Sequence, residues 1–201
     1  MAVSRVKTSS ILQGFPKSRS LLAGNTAYSP ASFESISTVT LSAPTGWINF
    51  SSIPNTYKAL QIRIMGRCLQ GGSAQSDISM VCNNDSTSSY SWHRVRGNTA
   101  TADAAGSATQ TRANIGFVPT NGYTANIFGV LIIDINDYNS TTLYKTIKAE
   151  GGFEADGSGI SGIFSGLWQK TNAITDLSFS NQNNAYDWTT GTIISLYGIK
   201  G

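Results

Sequence analysis

Four acids in the second half of the chain, Asp134, Asp137, Glu154 and Asp156, are its nearest approach to a catalytic or metal-binding set. Paired carboxylates serve glycoside hydrolysis, and oxygen ligands converging from loops serve calcium. The spacing matches no EF-hand or repeat calcium loop, and Asp134 and Asp137 fall where a strand gives way to a turn, a place Asp takes for its own backbone hydrogen bonds. A depolymerase using Asp134, Asp137 or Glu154 and a set of plain turn acids are both compatible with that pattern. His93, the sole histidine, lies in Tyr90-Ser91-Trp92-His93-Arg94. It reads as a general base, a metal ligand or a strand residue donating one hydrogen bond. No Gly-x-Ser-x-Gly elbow accompanies it, as a hydrolase nucleophile would require. Cys68 and Cys82 cannot complete a structural zinc site with His93 alone. If residues 59–67 and 77–81 are neighbouring strands, the two cysteines lie near opposite ends of that pair and read as free thiols from a reducing compartment. Gly151, Gly152, Gly157 and Gly159 lack the following Lys-Ser/Thr and helix of a phosphate-binding loop. No cofactor is expected.

Aromatic residues offer a different chemistry. Trp47, Trp92, Trp168, Trp188 and 8 tyrosines could line a sugar-stacking groove, with Ser, Thr and Asn matching hydroxyls. Core packing and subunit contacts account for the same residues equally well. Residues 98–112 are rich in Ala, Thr, Ser and Gly and read as a long exposed loop, the kind that often carries function. Trp92, His93, Arg112 and Tyr123 are therefore the candidate glycan or receptor contacts.

The elements that must position these residues read as β throughout. Short runs alternate between apolar and polar: Leu60, Ile62 and Ile64 oppose Gln61, Arg63 and Met65, and turn clusters separate one run from the next. Residues 127–135 are the most apolar and read as a central buried strand, and the apolar run 193–199 reads as ending in the core. About ten strands of about six residues, without an amphipathic helix, predict an all-β fold. Its form is an antiparallel two-sheet β-sandwich, jelly-roll-like, over residues 33–201, with an extended N-terminal arm over residues 1–32.

Charge separates the same two parts. Only 12% of the 201 residues are charged, while Ser, Thr and Asn together number 63. Arg5, Lys7, Lys17 and Arg19 all precede the first acid, Glu34, after which 10 basic residues meet 11 acidic ones. The net +3 thus belongs to the arm, and the body lacks the clustered basic face that nucleic acid requires. Apolar runs are too short to cross a bilayer, and Met1-Ala2-Val3-Ser4-Arg5 does not open a secretory signal, so neither membrane insertion nor export is expected. Ile11, Leu12, Phe15, Leu21 and Leu22 are too many apolar residues for a passive linker and suit an arm that orders on a partner.

Particular stretches carry a resemblance. Residues 6–25 resemble an N-terminal module of tailed-phage virion proteins. The body is similar to a family of phage structural proteins frequent in cyanophages. The matching stretches are residues 50–63, Tyr90-Ser91-Trp92-His93, residues 126–129 and 132–138, Tyr144-Lys145-Thr146, Ser165-Gly166-Leu167-Trp168 and Leu196-Tyr197-Gly198-Ile199-Lys200-Gly201. The resemblance implies a non-enzymatic virion protein of tail-fibre or appendage type, assembled in the reducing host bacterial cytoplasm and, by analogy, a homotrimer. Its arm would bind tail or baseplate through Arg5, Lys7, Phe15, Lys17, Arg19, Leu21 and Leu22. A head decoration or capsid fibre, and a module binding host-surface carbohydrate, are the alternatives.

Overall fold

The computed structural model describes residues 32–71, 75–181 and 184–200; the arm residues Arg5, Lys7, Phe15, Lys17, Arg19, Leu21 and Leu22 lie outside them. The described residues form twelve strands and no α-helix. One sheet pairs β1 (Phe33–Thr40), β12 (Ile193–Ile199), β3 (Ala59–Gly66), β8 (Gly129–Asn136), β9 (Lys145–Phe153), β10 (Ile160–Trp168), β5 (Tyr90–Asn98) and β6 (Thr101–Gln110) in that order. The other pairs β2 (Trp47–Phe50), β11 (Leu177–Asn181), β4 (Gln75–Cys82) and β7 (Ala113–Pro119). Every pairing is antiparallel. The result is an all-β, two-sheet sandwich.

Side-chain alternation builds the core between the sheets. Leu60, Ile62 and Ile64 of β3, Leu131, Ile133 and Ile135 of β8 and Ile194 and Leu196 of β12 turn inward from the large sheet. Ile48 and Phe50 of β2, Met80 of β4 and Leu177 and Phe179 of β11 meet them from the small one. β7 is buried along its whole length and packs across β8, β9, β10 and β5.

Three expectations need correction. Residues 98–112 are not a loop: Thr101–Gln110 is β6, joined to β5 by a two-residue turn in which Thr99 takes a left-handed φ of 53°. β6 extends the large sheet and is largely exposed on both faces, so it buries little and shows no apolar alternation. β3 and β4 are not neighbours either, because the chain passes from one sheet to the other between them. Cys68 and Cys82 are nonetheless both free and buried. Twelve strands replace about ten, and β12 ends the described chain inside the large sheet, between β1 and β3.

Candidate functional site

The proposed contacts do not assemble. Trp92 and His93 are consecutive on β5, so pleating sends them to opposite faces. Trp92 meets the Arg94 guanidinium at 5.7 Å from its ring centroid. His93 is exposed on the large sheet's outer face, the one turned away from the small sheet, and its imidazole lies over Gly106, where a Cβ would fall 2.4 Å from Cδ2. Tyr123 stacks edge-on against Phe153, centroids 5.1 Å apart, and donates its hydroxyl to the Ser158 carbonyl at 2.9 Å. It is a strut holding a loop. The Arg67 guanidinium fastens the same loop by donating to the carbonyls of Tyr123, Thr124 and Ile127.

The four acids also stand apart. Asp134 accepts from Gln61 Nε2 at 2.9 Å, and Asp137 pairs with Lys58 at 3.1 Å. Glu154 accepts from the backbone N–H of Ala155 and of Gly157, and Asp156 occupies a left-handed turn position. Among the described residues no three His, Cys, Asp or Glu side chains group as metal ligands would.

Sequence reasoning missed two ionisable groups, one buried and one partly exposed, whose hydrogen bonds are all made inside the protein. Lys145 is fully buried, with Nζ donating to the carbonyls of Ser140 and Leu143 at 2.7 Å and of Thr171 at 3.2 Å. Burial pushes its pKa down, and the three bonds occupy all of its protons. Asp85 accepts from Trp168 Nε1 at 2.7 Å, Ser89 Oγ at 2.6 Å and both the N–H and hydroxyl of Thr87. Burial alone would raise its pKa, but those bonds outweigh it and hold the carboxyl well below the usual range. Each has its donors or acceptors committed inside the protein, and both brace loops.

Open surface lies elsewhere, on the outer faces of both sheets. On the large sheet, Met65 and Val130 face each other across β3 and β8, and Val95 and Ile163 across β5 and β10. Val95, Ile163 and Val130 are 61%, 58% and 55% exposed, unusual for apolar side chains on a sheet face. Two shallow depressions of about 670 and 660 Å³ sit on this face. The first is floored by Gly152 and walled by Val130 and Glu150; the second runs between His93, Val95 and Ile163.

On the small sheet, Ile48 and Phe50 turn inward, so Trp47 and Asn49 turn outward. Arg112, at the bend before β7, places its guanidinium 5.9 Å from the Trp47 ring centroid. Both line a cleft of about 340 Å³, with Asn84, Ser86 and Ser178. Arg112 is the one proposed contact that reaches a concave aromatic site. The Trp47–Asn49 alternation was the readable signal for it.

No family model, no curated protein and no solved structure matches this chain.

Proposed function

We propose that this chain is a non-enzymatic structural protein of a tailed-phage particle, of tail-fibre or appendage type, held by its N-terminal arm and displaying the sandwich. The observation that carries the reading is the outer face of the large sheet. Its exposed Val95, Ile163, Val130 and Met65 make a surface for packing against other copies of the same chain. Arg63 and Lys148 share that face with Asp134 and Glu150, so a second copy can turn its acids toward the first one's bases. The strand orders support a jelly-roll reading. Set aside the hairpins β5–β6 and β9–β10, added at one edge of the large sheet, and the chain alternates between β1-β12-β3-β8 and β2-β11-β4-β7 at every step but β4 to β7, which pair with each other. A trimer is the expected assembly, by analogy with other phage appendages.

The test is a tagged chain in purified particles, located by gold labelling, beside sedimentation of the isolated full chain. Label on the tail or baseplate and a homo-oligomer that Val95→Glu with Ile163→Glu reduces to monomer are the expected results. Label on the head would assign the decoration reading instead. Absence from particles, or a monomeric wild type, would overturn the proposal. Deleting residues 1–30 should leave the oligomer intact and remove the label from particles.

A further inference from the structure

We propose that the Trp47–Arg112 cleft is a binding site for a carboxylate-bearing sugar, such as a uronic acid residue of an acidic polysaccharide. It is separate from the oligomerisation face and rests on different residues. The first observation is an unsatisfied cation. Among the described residues Lys58, Arg96, Lys148 and Lys200 each have a carboxylate partner and Arg67 and Lys145 donate to carbonyls, whereas Arg112 has neither. Its Nη1 is shielded from solvent without a hydrogen-bond partner, and Nε has only a long 3.5 Å contact to Thr111 Oγ1. A guanidinium with one nitrogen shielded and unpaired gains from an anion delivered to its open edge.

The surroundings select the kind of anion. One guanidinium balances one negative charge, which suits a carboxylate better than a phosphate dianion. Trp47 supplies the apolar ring surface on which a sugar's C–H face packs. Asn49 and Ser86 line the same cleft with side chains that make no hydrogen bond among the described residues, leaving an amide and a hydroxyl for ring hydroxyls. A volume of about 340 Å³ is at the small end of ligand sites, so the cleft grips one or two sugar units and not a long chain.

The probe is trigalacturonate, titrated into the full chain by calorimetry and by the NMR shift of the Trp47 indole N–H. Maltotriose serves as the neutral trisaccharide and acetate as the bare carboxylate. Trigalacturonate should bind and move the Trp47 signal, with maltotriose and acetate each about tenfold weaker or more, the ratio expected when a charged hydrogen bond or the sugar contacts are lost. Arg112→Ala should weaken trigalacturonate by a similar factor, and Asn49→Ala, at an exposed strand position, should weaken it less. No binding by about 10 mM, an affinity near the detectable floor, would overturn the proposal. So would equal affinity for maltotriose or for acetate, or an unchanged affinity in Arg112→Ala. The Trp47 shift in the unaltered chain keeps the test decisive if that variant fails to fold. Because the measurement uses isolated protein, its failure leaves the particle-assembly reading untouched.

Discussion

Replacing Asp85 with Ala should be among the costliest single changes at a partly exposed position. The carboxylate accepts four hydrogen bonds, but they are unequal. Thr87 is exposed and can turn to water, so its two bonds are worth little. Ser89 Oγ already lies 3.4 Å from the Thr87 carbonyl and can swing to it. Trp168 cannot adapt: its ring is 2% exposed and stacked on buried Tyr90, so the truncation strands Nε1 without an acceptor. A bond to a charged acceptor contributes about 1.5–3 kcal/mol, and with a smaller loss from Ser89 the total is about 3 kcal/mol. Against a typical stability of about 5–15 kcal/mol that is a large share.

Urea denaturation of wild type, Asp85→Ala, Trp168→Phe and the double variant isolates the pair. The coupling energy should be about 1.5–3 kcal/mol, with the urea slope unchanged. The pH dependence has a fixed sign. A carboxyl held below its unfolded value stabilises above the unfolded pKa of about 3.9, and that contribution disappears as pH falls through the folded value. The gap between wild type and Asp85→Ala should therefore be full at neutral pH and shrink once the solution is more acidic than about pH 4. A coupling below about 0.5 kcal/mol, within the scatter of independent sites, or a gap that widens in acid, would refute the account.

Three further outcomes follow from the geometry. At Gly152 an added Cβ would fall 1.8 Å from the Ile160 carbonyl oxygen, a backbone atom in mid-sheet, so Gly152→Ala should cost more than about 3 kcal/mol. A melting temperature within a few degrees of wild type would contradict it. Cys68 and Cys82 should resist a thiol reagent in the native protein and both react in denaturant, since burial pushes both thiols up; rapid native labelling of either would be the contrary result. Removing residues 193–201 should abolish the fold by circular dichroism, because β12 joins β1 to β3 and buries Ile194 and Leu196, whereas removing residues 1–32 should leave the sandwich's melt unchanged. The reverse order would show that the arm and not β12 supports the fold.

How much of this was legible depended on what each strand buries. β3 and β9 were readable because one face of each meets the core and imposes a two-residue period, and β8 and β12 because they are apolar runs. β6 was not, since a strand extending past the small sheet has no core to face and its Ala, Thr and Ser look like loop composition. Which strands pair was illegible from adjacency, as β3 and β4 show: their connection crosses between sheets, so each finds its partners far along the sequence. The separation of Trp92 from His93 was available in advance from alternation alone. The meeting of Arg112 with Trp47 was not, because nothing local links a residue of β2 to one in the bend before β7, which come together only when the small sheet forms.

The near-neutral body takes on a more definite meaning through where its charges go. Lys145 and Arg67 are absorbed by backbone carbonyls, and Arg63 lies over Phe33 and Tyr197 at 5.3 and 5.4 Å. Arg94 lies over Phe117, and Arg96 pairs with Asp103. Cations satisfied this locally project little field beyond about 8–10 Å at physiological salt. Long-range steering is then a minor part of how the sandwich meets other molecules, and contact surfaces have to supply the energy. The apolar outer face of the large sheet is suited to copies of the same near-neutral sandwich, which repel one another little. Arg112 also has neither carboxylate nor carbonyl, and its shielded Nη1 stands in a cleft that combines an indole with exposed polar side chains. The proposed self-packing and the proposed ligand capture fall on opposite faces of one sandwich, so a change to either surface leaves the other intact.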